Sequence, residues 1–172
     1  MLESHGVVYR EQRDWDGPAF MALVARVIAD FLADHDPERE RAWIAELAGE
    51  RVGSVFCTEE SARVARLRLL LVVPRARGMG VGSKLVDECL DFARRAGYRQ
   101  VMLFTNSRLA SARRIYDAKG FELRSEARNE IFGTESVGQE LWLDPEPYPI
   151  RRPRRTLRRT APGPRGLPRK SV

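Results

Sequence analysis

The sequence predicts a single α/β domain built on a mixed sheet. Segments of strand-like period two alternate along the chain with segments of helical period, which is the pattern of helices packed on a sheet. The length of 172 residues, 43% of them hydrophobic, provides for one domain with a real core and hardly for two. No internal repeat is present.

The elements follow in order. GVVYRE (6–11) reads as a short first strand. Residues 18–35 place Phe20, Leu23, Val24, Val27, Ile28 and Phe31 at helical spacing, with Pro18 suited to the first turn. Residues 41–61 read as two short strands around a turn at Gly49. VARLRLLLVV (64–73) is the clearest strand, and its continuous apolar end predicts burial on both faces. A helix from about Gly80 to Ala96 carries Leu85, Cys89, Phe92 and Ala96 along one stripe, and Gly97 stops it. RQVMLFT (99–105) is a strand, 107–120 a helix ended by Gly120, and 121–127 and 137–144 are closing strands.

The charge is divided along the chain. Nine of the 30 basic residues follow residue 147 and none of the 24 acids do, so a mildly acidic domain (1–146) precedes a basic tail (147–172). That tail is rich in Arg, Pro and Gly and lacks core-forming side chains, so it is expected to be disordered. It could engage nucleic acid, although a solvated extension without a partner is the favoured reading. No stretch has the ~20 apolar residues of a membrane span. The first 17 residues lack a signal-peptide core, which predicts a cytoplasmic protein. Cys57 and Cys89 are too few for a disulfide framework and suggest no zinc site, and no metal is expected.

The most informative stretch is VVPRARGMGVGSKLV (72–86), where Gly78, Gly80 and Gly82 stand at a strand-to-helix junction. Glycines there bare the first N–H groups of a helix, which lack intrahelical partners and lie at the positive end of its dipole. Such a turn binds anions, most naturally phosphate or pyrophosphate. A GxxxxGK-S/T loop would need lysine where Ser83 stands, and a GxGxxG fingerprint starting at Gly78 would need glycine there.

Arg77-Gly78-Met79-Gly80-Val81-Gly82 resembles the Arg/Gln-x-x-Gly-x-Gly/Ala signature of the GNAT superfamily of N-acetyltransferases. The preceding LLVVP is similar to the Leu-x-Val-x-Pro of its fourth strand, and RRIYDAKGF (113–121) to its Tyr-x-x-x-Gly-Phe element. From HGVVY to VGQELWLD, about residues 5–144, the text resembles the acetyltransferase half of bacterial proteins that fuse a MarR-type winged helix to a GNAT domain. Only four residues precede HGVVY, so the DNA-binding half is expected to be absent.

The resemblance implies a mostly antiparallel, twisted sheet flanked by helices and splayed between its fourth and fifth strands. It implies acetyl-CoA as co-substrate, held by the backbone at Leu70, Leu71 and Val72, with its pyrophosphate on the amides of Gly78, Met79, Gly80, Val81, Gly82 and Ser83 beside Arg77. An N–H near Val72 or Val73 would then stabilise the oxyanion. Tyr116 stands where the family's tyrosine protonates the departing thiolate. Two positions depart from the family pattern. Leu109 replaces a pantetheine-binding Asn, a task Asn106 could share, although helix capping is its default role. Phe104 stands where some members carry a glutamate base. The base is therefore unassigned, with Glu46 and Glu130 as guesses. His5 and His35 read as surface residues, and Trp15, Trp43 and Trp142 as core rather than acceptor pocket.

The expected function is acetyl transfer from acetyl-CoA to an amine by direct attack, with a small-molecule or protein acceptor and no membrane partner. A homodimer is compatible with the sequence. Two rival readings are a non-catalytic CoA-binding module and a nucleic-acid-associated regulator acting through the tail.

Overall fold

The computed structural model describes residues 18–129 and 136–144, and the strand expected at 6–11 and the tail from 147 lie outside them. Helix α1 spans Pro18–Asp34. Strands β1 (Arg41–Leu47), β2 (Glu50–Ser61) and β3 (Val64–Val72) follow as an antiparallel meander. A 3-10 turn at Pro74–Ala76 leads to α2 (Val81–Arg95), then β4 (Gln100–Asn106), α3 (Ala110–Ala118), β5 (Glu122–Asn129) and β6 (Ser136–Leu143). The six strands form one sheet in the order β1-β2-β3-β4-β6-β5, antiparallel except where β3 meets β4. It is the mixed, mostly antiparallel, helix-flanked sheet expected.

The β3–β4 pair opens into a wedge. The strands are paired only at Val64–Gln100, Ala65–Val101 and Arg66–Met102, after which the backbone ladder ends. The departure coincides with a bulge in β3: Val55 faces both Leu69 and Leu70, and Leu69 adopts φ +50°. An extra residue in one strand bends it and shifts its side-chain alternation. Ala65 and Leu67 point into the main core, but beyond the bulge Leu70 and Val72 pack on that side while Leu69 packs with α1. The expectation of a strand buried on both faces therefore fails at Leu69 and Leu70, which the bulge leaves half-exposed, while Leu71 beyond them is buried.

The main core lies between the sheet and α2 with α3. Leu85, Val86, Cys89, Phe92 and Ala93 of α2 meet Val55, Cys57, Val101, Leu103 and Leu141. Cys57 and Cys89 are buried and free, and their mutual hydrogen bond, together with burial, pushes the Cys89 thiol up. They are packing residues. Helix α1 covers part of the opposite face through Val24, with Met21, Ile28, Leu69 and Leu109 around it, and through Phe31 set edge-on to Phe56. Leu23, expected on the buried stripe, is 43% exposed instead, while Val24 and Val27 turn fully inward. α3 begins three residues later than its periodicity suggests. Asn106 Oδ1 accepts the Arg108 N–H at 3.0 Å and holds 106–109 as a turn, so Leu109 takes the cap position with no side-chain cap.

Candidate anion-binding cleft between strands β3 and β4

The wedge holds a cavity of about 450 Å³. One wall is Leu70, Leu71 and Val72 of β3. The floor is the turn from Ala76 to Ser83, and the far wall is the 109–118 segment with Ser111, Arg114 and Ile115. An ion pair from Lys119 to Asp87 ties the end of α3 to α2, Nζ to Oδ1 at 2.6 Å.

The glycines divide into two jobs. Gly78 and Gly80 have φ of +76° and +77°, with no atom within 4 Å of where a Cβ would stand. They supply a left-handed backbone and leave open space above it. Gly82 serves packing, since its Cβ would lie 2.8 Å from Ile115 Cδ1. Gly80 is the cap of α2 and offers no side chain, and the first amide to find a carbonyl one turn back is Lys84, bonded to Gly80 O at 3.0 Å. The amides of Val81, Gly82 and Ser83 lie ahead of it at the positive end of the helix dipole. Arg77 adds charge and braces the turn, its Nε donating to Val72 O at 3.3 Å.

The backbone of β3 also presents a donor. Val73 N–H bonds to Val52 O at 2.9 Å, so Val73 belongs to the β2 ladder and is no longer a candidate for the oxyanion. Because directions alternate along an antiparallel strand, Val72 turns its N–H and C=O toward the open wedge. Asn106, at the tip of β4, is 2% exposed, and its Nδ2 is a buried donor without a partner among the described residues. A buried amide donor left unbonded costs ~1–3 kcal/mol; Asn106 itself is not part of the cavity wall. Asn106 does not cap α3, as its Oδ1 is spent on the turn.

Other expected residues fall less neatly. Met79 is 55% exposed, and Tyr116 is buried on α3 with its ring edge-on to Phe121, centroids 5.7 Å apart; neither is part of the cavity wall. Tyr116 follows Ala112 and Ile115, which are. Leu109 packs under α1 while lining the cavity. Phe104 is 55% exposed on the face away from α2, with the Arg66 guanidinium 4.7 Å from its ring centre. Glu46 is exposed on β1, two strands from the wedge, while Glu130, His5 and Trp15 lie outside the described residues. His35 stacks on Phe31 at 4.4 Å, Trp43 packs on Phe92, and Trp142 donates to Glu140. Sequence reasoning missed Ser111, Arg114 and Ala118. Their spacing of three and four along one helix face was the available signal. Among the described residues no helix is long and apolar enough to cross a membrane, and no group of three or more His, Cys, Asp or Glu could hold a metal.

The rat N-acetyltransferase family 8 member 2 is 36% identical over 115 residues, 64% of this chain and 49% of that one. The chain spans about half the length of the curated relatives it matches. Among solved structures, the ribosomal-protein-S18-alanine N-acetyltransferase of Escherichia coli superposes with a TM-score of 0.65 at 17% identity, over 87% of this chain and 91% of that one. A GNAT family acetyltransferase from Elizabethkingia anophelis with acetyl-CoA bound gives 0.58 at 15% identity, over 69% and 82%. At those identities the likeness is one of fold. The family model for the acetyltransferase (GNAT) family matches residues 7–121, the stretch that contains the bulged strand, the glycine turn and α3, and the chain belongs to that family.

Proposed function

We propose that residues 1–146 form an acetyl-CoA-dependent N-acetyltransferase in which an amine attacks the thioester directly. The observation that supports it most is the cleft itself: a helix N-terminus with unbonded amides and two cations at one end, and a strand with outward backbone groups along the wall. A molecule with a pyrophosphate at one end and an amide-bearing arm fits both. In this reading the amides of residues 78–83, with Arg77 and Arg114, hold the pyrophosphate, and the backbone of Leu70 and Val72, with the Asn106 amide, bonds the arm, while Leu71 only lines the wall because its carbonyl turns to β2.

The chemistry follows from charge development. A neutral amine adds to the acetyl carbon, the carbonyl oxygen gains negative charge, and the Val72 N–H stabilises it, a contribution typically worth ~3–4 kcal/mol. Collapse breaks the C–S bond and leaves an amide and a thiolate. Tyr116 gives its phenolic proton to the sulfur and regains one from the proton the amine nitrogen sheds. The acceptor is a small molecule or a protein amine, the setting is the cytoplasm, and the kinship is with the acetyltransferase half of MarR–GNAT fusions. The tail from 147 is a solvated extension.

The test is CoA release from acetyl-CoA against a panel of amines, peptides and aminoglycosides. Release that depends on an amine supports the proposal. Saturable CoA binding without turnover on any acceptor would favour the binding-module reading, to which the apolar Leu109 and Phe104 lend support.

A further inference from the structure

Arg68 has no acceptor for its guanidinium among the described residues. It lies on β3 opposite Phe56, one residue before the bulge and on the face away from α2. The face is set by alternation: Ala65 and Leu67 point into the main core, so Arg66 and Arg68 point to the other side. Arg68 is half-buried, and among the described residues its guanidinium makes neither a hydrogen bond nor an ion pair. Its neighbour Arg66 has a partner, with Nη1 on Glu60 at 3.1 Å. Burial, then the like charge of Arg66, lower the pKa of Arg68, while Glu60, Asp30 and Glu40 act from a distance without pairing. A half-desolvated guanidinium with five donors and no acceptor is an expensive thing to leave unsatisfied.

Its position matters because β3 and β4 lose their pairing just ahead of it, after Arg66–Met102. The cavity is walled by β3, the glycine turn and α3, and the face of β3 and β4 away from α2 is the one left for a second reactant. There Phe104 lies exposed on β4, level with Arg68 where the β3–β4 pairing would have continued, and Arg66 stacks on it. We propose that this face takes an acceptor amine that also carries a carboxylate, with Arg68 binding the carboxylate through its two-pronged face and the Phe104 ring bearing the acceptor's body. A planar guanidinium matches a carboxylate bidentately, and the partial burial that now costs energy would strengthen that pair. The proposal rests on the acetyltransfer reading for what happens to the amine, though not for the binding itself.

The probes are glycine, L-phenylalanine and L-glutamate, each against its C-terminal amide, with wild type and Arg68→Gln. Retention of the acetyl-CoA-induced rise in melting temperature shows that the variant is folded and its cleft intact. Two readouts are taken: CoA release, and equilibrium binding of each probe in the presence of CoA by calorimetry. The expected result is a ~10–100-fold preference for at least one acid over its amide, the range lost with a charged hydrogen-bonded pair, which collapses toward one in Arg68→Gln. Equal use or equal binding of acids and amides, or a preference that survives in Arg68→Gln, overturns the proposal. Binding that shows the preference without any CoA release would leave Arg68 as a carboxylate site and defeat the acetyltransfer reading instead. No measurable binding of any acid overturns the carboxylate site.

Discussion

Gly53→Ala should weaken both the fold and the cleft. A Cβ at Gly53 would stand 2.8 Å from the carbonyl oxygen of Leu71 and 3.0 Å from Leu85 Cδ1. The first contact is about 0.6 Å inside ordinary van der Waals range, and its partner is backbone, which cannot rotate away. Overpacking of this kind costs ~1–3 kcal/mol, and with a backbone atom struck the upper part of that range applies. The alanine recovers ~0.5–1 kcal/mol by restricting the unfolded chain, which leaves ~1–2 kcal/mol of destabilisation. For a domain of this size that lowers the melting temperature by ~3–8 °C. The strand that must move is the cleft wall, Leu71 and Val72, so the acetyl-CoA-induced rise in melting temperature should shrink as well. Gly49→Ala is the control. Gly49 has φ +80° and no atom within 4 Å of its missing Cβ, in a hairpin turn two strands from the wedge. It should lose ~1 kcal/mol to left-handed strain and keep the full ligand shift. Thermal unfolding of the three proteins with and without acetyl-CoA decides. A Gly53→Ala protein that melts within 1 °C of wild type, with an unaltered ligand shift, would refute the reasoning about the β2–β3 contact.

Three further outcomes are expected. Tyr116→Phe keeps the ring against Phe121 and removes the proton, so kcat on the best acceptor should fall ~10²–10⁴-fold with acetyl-CoA affinity nearly unchanged; a purely packing tyrosine would lose at most ~0.5–1.5 kcal/mol of stability and little turnover. Removal of residues 147–172 should leave the melting temperature and ligand shift as they are, because the segment has no apolar face to dock, and a drop of several degrees would show that it packs on the domain. Asn106→Leu removes the unbonded Nδ2 but also the Oδ1 acceptor of the Arg108 N–H, so it should lower the melting temperature modestly and weaken acetyl-CoA binding; unweakened binding would show that Asn106 does not bond the ligand.

The order of elements was legible because strong periodicity and helix-stopping glycines mark it: Gly97 and Gly120 both have positive φ where the helices end. The left-handed glycine turn ahead of α2 was legible for the same reason, since backbone geometry is written directly into residue type. Three things were not. The bulge at Leu69 cannot be read from RLRLLLVV, because an apolar run is compatible with either face, and yet it separates the wall residue Leu70 from the α1 contact Leu69. The separate task of Gly82 depends on Ile115, thirty-three residues away. The exclusion of Val73 as an oxyanion donor depends on pairing with Val52, and pairing is a property of the sheet. Arg68 is one more arginine in an arginine-rich sequence, and its lack of an acceptor is a property of the folded sheet.

Calorimetric titration of acetyl-CoA into wild type and Gly80→Glu tests the central claim most directly. Gly80 caps α2, its missing Cβ faces open space, and a glutamate there brings bulk and negative charge to the place assigned to the pyrophosphate. The account predicts one saturable site in wild type and none in a Gly80→Glu protein whose circular dichroism shows it folded. Binding that persists in folded Gly80→Glu, or no binding in wild type, would contradict it.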